Sequence, residues 1–118
     1  MEPVPAPERE TKLTIDDFRR LDLRVATITA AAPHPNADRL LVLQIDLGAE
    51  QRQLVAGIRA HYEPAALVGR QIIVVANLEP ARLRGVESQG MLLAASDTEG
   101  RLAIVTPEKP VAPGATVK

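Results

Sequence analysis

Ser88 lies in the run "GVESQG" (residues 85–90), where a serine between glycines suggests the sharp turn that exposes a nucleophile. That turn requires glycine two residues before the serine, and Val86 stands there instead. His34 and His61 are the only histidines and there is no cysteine, so neither a zinc-ligand spacing nor a cysteine nucleophile is available. No glycine-rich loop opens a helix after a strand, which removes the usual phosphate cradle of nucleotide hydrolases. The chemistry left is non-covalent, with no catalytic residue, no metal and no cofactor expected. It centres on "NLEPARLRGVESQGMLLAA" (residues 77–95), where two arginines, two glycines, a serine and a glutamine separate two apolar runs. A simple return between strands needs none of that polar content.

Elements that could position this stretch have to fit a chain of 118 residues, 46% hydrophobic and 25% charged, enough for one small domain. Its longest apolar runs, such as Ile72–Ala76 and Met91–Ala95, fall far short of the roughly 20 residues that span a bilayer. The start "MEPVPAPERETK" is acidic and proline-rich and has neither the basic opening nor the apolar stretch of a signal peptide, so a cytoplasmic protein with no membrane association is expected. The net charge of -1 is not that of a strongly basic nucleic-acid binder. Residues 1–22, however, hold six acidic and four basic side chains, which leaves the rest slightly positive. Arginines outnumber lysines eleven to three, a ratio that fits either phosphate recognition or a GC-rich coding sequence.

Residues 1–12 read as a flexible, polyproline-like linker and residues 13–118 as the domain. "TIDDFRRLD" predicts a short docked helix, with Thr14 as N-cap, Asp16 and Asp17 in the first turn, and Ile15, Phe18 and Leu21 at helical spacing. Strand periodicity follows in "LRVATITAA", "LLVLQIDL" and "RQLVAG", with "PHPNADR" as the loop between the first two. "IRAHYEPAALVG" reads as a crossover with a helical turn. "RQIIVVA", apolar on both faces, predicts a central strand, "MLLAAS" a fifth and "RLAIVT" a sixth. The tail "PEKPVAPGATVK" reads as extended. This order describes an all-β, five-stranded, partly open barrel of OB type with a short N-terminal helix and C-terminal extension strands.

With those blocks in order, the chain resembles the tRNA-binding domain family, found at the C-terminus of bacterial methionyl-tRNA synthetases and as stand-alone tRNA-binding proteins. The likeness rests on "NLEPARLRGVESQGMLLAA", "DFRRLDLRVATI", "HPNADRLLVLQIDLG", "RQLVAGI" and "LVGRQIIVVANL", covering roughly residues 15–96. It implies an OB-fold that grips tRNA by shape rather than by anticodon sequence. It also implies a homodimer, with residues 97–118 engaged in it, and a synthetase catalytic body as a partner.

The resemblance places tRNA contacts on Asn77, Arg82, Arg84, Ser88, Gln89 and Met91, with Arg24 and Arg39 as additions. Arginines would neutralise phosphates, and Asn77, Ser88 and Gln89 would hydrogen-bond to sugar or base edges. Asn77 reads more readily as a cap of its own turn, Met91 equally as an apolar contact or a core residue, and His34 as an ordinary loop residue. Gly85 and Gly90 would let the backbone approach the ligand, or serve backbone geometry alone. The family commonly has lysine in "EPARLRG" where this chain has arginine. With one Phe and one Tyr in the chain, base stacking is a poor source of affinity. Two other readings share the fold: a polypeptide-binding chaperone related to export, and a dimerisation module with vestigial RNA affinity.

Overall fold

The computed structural model describes residues 11–118, so most of the expected linker over residues 1–12 lies outside the described residues. Helix α1 (Ile15–Arg19) forms where expected. Thr14 Oγ1 accepts the Asp17 N–H at 3.0 Å and the Asp17 carboxylate accepts the Thr14 N–H, a reciprocal cap that satisfies two otherwise unpaired donors. Its docking differs from the expectation, because Ile15, Phe18 and Leu21 all remain exposed. Asn77 ties down the segment that follows α1: its Oδ1 accepts the Asp22 N–H at 2.9 Å and its Nδ2 donates to the Arg20 carbonyl at 2.7 Å.

Strand β1 (Leu23–Pro33) is the axis of the fold, longer than its sequence signal because the chain stays extended through Pro33, at a strand end that proline tolerates. Its inner half pairs antiparallel with β4 (Gln71–Val75) and its outer half with β2 (Leu41–Asp46), with a register shift between Ile28 and Ala30 that bends the strand between partners. Strand β3 (Gln51–Ala56) continues the β2 hairpin, and α2 (Pro64–Leu67) fills the crossover to β4, with Leu67 fully buried. The main sheet runs β3-β2-β1-β4-β7, with β7 (Met91–Leu92) at the far edge.

Because β1 and β4 alternate apolar residues on both faces, they support two cores. Ala26, Ile28, Ile72 and Val74 join Leu41, Leu43, Ile45 and Leu54 inside the barrel. Leu23, Val25, Ile73 and Val75 form a second cluster on the outer face, covered by Leu93, Ala115 and Val117. The C-terminal tail supplies that cover when β10 (Thr116–Val117) pairs with the start of β1.

Two segments depart from the sequence expectation. The "MLLAAS" strand is divided at Leu93, where the chain leaves β4 and continues as β8 (Ala94–Ser96), paired with β9 (Leu102–Ile104). Residues 81–88 are not a plain connection but a hairpin of β5 (Ala81–Leu83) and β6 (Val86–Ser88), which form a two-stranded sheet of their own. Among the described residues, no helix is long and apolar enough to cross a membrane.

Candidate functional site

A two-residue tip, Arg84 and Gly85, joins β5 to β6, since Leu83 pairs directly with Val86. Both tip residues have positive φ, +53° and +93°, the signature of the primed turn whose twist matches a hairpin. Glycine suits the second position for that conformation alone: a Cβ built on Gly85 would meet nothing within 4 Å. The Arg82 guanidinium donates to the Gly85 carbonyl at 2.9 Å, folding one arginine across the turn while Arg84 projects from it.

The hairpin is anchored at both ends. At its base, the Gln53 side-chain amide donates to the Glu87 carbonyl at 2.8 Å, and the Val55 N–H donates to Ser88 Oγ at 2.9 Å. Gln89 exchanges a pair of bonds with Gln53: its N–H donates to the Gln53 carbonyl at 2.8 Å, and its Oε1 accepts the Gln53 N–H at 3.0 Å. These bonds close the open side of the barrel against the β3 edge. The Arg52 guanidinium reinforces the seam by donating to the carbonyls of Ala76 and Gln89. It also pairs with Glu50, whose carboxyl it holds below the usual carboxylate range by hydrogen bonding and charge.

Near the tip, His34 Nε2 lies 2.8 Å from the Leu83 carbonyl oxygen. The Asn36 N–H donates to Nδ1 of the same ring at 2.9 Å, so Nδ1 is the acceptor and Nε2 carries the hydrogen donated to Leu83. His34 is only 4% exposed and its own N–H donates to the Leu40 carbonyl. The loop after β1 and the hairpin therefore face each other across a cleft of about 430 Å³, lined by Asn36, Ala37, Asp38, Arg39, Leu40 and Arg84. Among the described residues, no hydrogen bond or ion pair engages the guanidinium of Arg39 or Arg84. Two uncommitted guanidinium groups on facing walls suit the oxygens of an anion, phosphate above all.

Of the residues singled out in the sequence, the structure brings Arg39 and Arg84 together at this cleft, whereas Arg82, on the same hairpin, does not line it and is bonded to the Gly85 carbonyl. Ser88, 4% exposed, spends its hydroxyl internally by accepting from Val55 and donating to the Gly90 carbonyl. Gln89 is engaged with Gln53, and Asn77 fastens the segment after α1, a long-range tie rather than the cap of its own turn. Arg24 does not line the cleft; it pairs with Asp22 at 2.8 Å and reaches toward the Gly114 carbonyl. Met91 is 49% exposed and borders an apolar groove with Val55, Ala56 and Ile58, so it is a surface residue. Gly90 corrects one expectation. At φ +135° its Cβ would stand 2.9 Å from the Val75 carbonyl oxygen and 3.3 Å from Leu54, so the close approach it permits is to the protein's own barrel.

His34, Arg52 and Gln53 were not singled out as functional. Their roles depend on partners 24 to 49 residues away, and only "PHPN", a histidine between two prolines, hinted at a fixed loop.

The family model described as a putative tRNA binding domain matches residues 23–116. A methionine–tRNA ligase of Thermococcus kodakarensis is 54% identical over 106 residues, 90% of this chain and 14% of that protein. One from Parabacteroides distasonis is 48% identical over 112 residues, 95% of this chain and 16% of that protein. The chain thus spans about a sixth or less of the curated relatives it matches. Among solved structures, a MetRS-related protein of Pyrococcus horikoshii superposes with a TM-score of 0.86 at 32% identity, covering 92% of this chain and 99% of that one. The chaperone CsaA of Bacillus anthracis gives a TM-score of 0.83 at 30% identity, covering 92% and 100%.

Proposed function

The chain belongs to the tRNA-binding domain family, and on that premise we propose that it grips tRNA at the cleft between the loop after β1 and the β5–β6 hairpin. The observation that carries this reading is the pair of uncommitted guanidinium groups, Arg39 from the loop and Arg84 from the hairpin tip, lining one cleft. Recognition is of the folded backbone. Tyr62 is occupied under Arg70 and by the Ile104 N–H, and Phe18 lies on α1, so no aromatic lines the cleft for stacking. Asn77, Ser88 and Gln89 support the grip from behind; Arg24 and Met91 serve as outlying contacts for a ligand as large as tRNA.

The domain, residues 13–118, acts as the non-catalytic C-terminal appendix of a cytoplasmic methionyl-tRNA synthetase and raises its hold on tRNA. It works as a homodimer. Leu13, Phe18, Leu21 and Leu78 line an open groove of about 560 Å³ beside α1, an apolar surface that a second copy would cover, with residues 97–118 contributing. The likeness to a chaperone supports a second reading, capture of unfolded polypeptide, for which the groove beside Met91 is the available apolar surface. Titrating total tRNA, with DNA duplex and an unfolded polypeptide as competitors, separates them. The tRNA reading expects neither competitor to displace tRNA, and displacement by the polypeptide would favour the chaperone.

A further inference from the structure

The β5–β6 hairpin has strands of three residues each that pair only with one another. A two-stranded ribbon that short is marginal by itself, so the direction in which its tip points depends on ties to the rest of the molecule. Its base is fixed by Gln53 and by Ser88 with Val55, but those bonds lie at residues 87 and 88, away from the tip. Near the tip, His34 bonds to the carbonyl of Leu83, the residue immediately before Arg84.

Three features make His34 suited to hold two loops in fixed relation. Its ring is short and rigid, unlike a lysine or glutamine that could follow a moving partner. Both ring nitrogens are committed in opposite directions, Nδ1 to the Asn36 N–H of its own loop and Nε2 to the hairpin. The side chain is buried, so water competes poorly for either bond. Asn36 and Arg39, in the same loop, line one wall of the cleft, and Arg84 lines the other.

We propose that His34 is a positioning residue for RNA binding: through Leu83 it fixes the hairpin against the loop and so sets the spacing of Arg84 and Arg39. The proposal rests on the cleft being the tRNA grip. In the free protein, the bond holds the arginines in place before RNA arrives, so binding need not order the hairpin.

The test measures affinity of the full chain for total tRNA, together with melting temperature and amide exchange across residues 81–88. H34N keeps an acceptor near the position of Nδ1 but has no donor that reaches Leu83. It should weaken binding about tenfold, the scale of losing one shielded hydrogen bond, and speed exchange in the hairpin. H34Q can place a donor near the position of Nε2 and should recover most of the affinity. In an R82A/R84A background, H34N should cause no further loss, because the hairpin charge that it holds in register with Arg39 is gone. Equal losses from H34N in both backgrounds would assign it a general folding role and overturn the proposal, as would wild-type affinity in H34N. If H34N does not fold, H34Q decides: near-native affinity supports the proposal, and a tenfold loss at native melting temperature overturns it. If R82A/R84A alone binds normally, the tRNA grip itself lies elsewhere and His34 has nothing to position; that failure is recognisable because it appears without any change at residue 34.

Discussion

Arg84 occupies the left-handed region, at φ +53°, where a side chain other than glycine costs on the order of 1 kcal/mol. Asparagine would fit that turn position more comfortably. An arginine there projects charge from the tip, and its removal separates binding from folding. Arg84→Ala bears a similar backbone cost, so the melting temperature should barely change while tRNA affinity falls by about 1–3 kcal/mol in a binding titration. Ser88→Ala should do the reverse. It leaves the buried Val55 N–H without its partner, and chemical denaturation should show a loss of about 1–3 kcal/mol. Ser88 and Arg84 are four residues apart in one polar stretch, and only their placement distinguishes them.

At the scale of elements, the glycines give a graded test. Gly85→Val strains the hairpin tip through φ alone, since the space around it is open, and should damage tRNA binding with a modest loss of stability. Gly90→Val meets strain and the Val75 carbonyl together and should unfold a much larger fraction of the protein, visible as a steeper drop in melting temperature. Deleting residues 97–118 should loosen the fold as well, because Ala115 and Val117 cover the outer cluster of Leu23, Val25, Ile73 and Val75. Much of the barrel was legible in the sequence: the cap at Thr14, the alternation of β2, and the two-faced apolar pattern of β4 all reappear in place. The β5–β6 hairpin was not, because three-residue strands rich in charge carry no apolar period. Its turn is also encoded by Arg-Gly rather than the stronger Asn-Gly signal. The split at Leu93 was hidden for a related reason, since a bend between two partners leaves a continuous apolar run unbroken. In the site, charge was readable and distance was not: Arg39 and Arg84 could be nominated singly, but their meeting depends on His34, which joins residues 49 apart.

For the whole molecule, acidic residues temper the arginines: Asp38 lines the cleft, and Glu87 pairs across the hairpin from Arg82. Binding should therefore be electrostatic but modest in charge count. If about three to five phosphates are neutralised per barrel, the log-log salt slope should be on the order of -3 to -4 per site, and a flat response would point to a different kind of ligand. The apolar groove beside α1 predicts association, so sedimentation at micromolar concentration should find a dimer, and a monomer throughout would leave that surface unexplained. The proposed grip requires the hairpin, through Arg84 at its tip and Arg82 beside the turn, to present its charge to tRNA. Its most direct test is titration of total tRNA, with DNA duplex as competitor, into wild-type protein and the R82A/R84A variant at the same moderate salt. The variant should stay folded and lose at least tenfold in affinity, while the duplex should fail to displace tRNA from the wild type. A folded variant that binds tRNA as tightly as the wild type would contradict it.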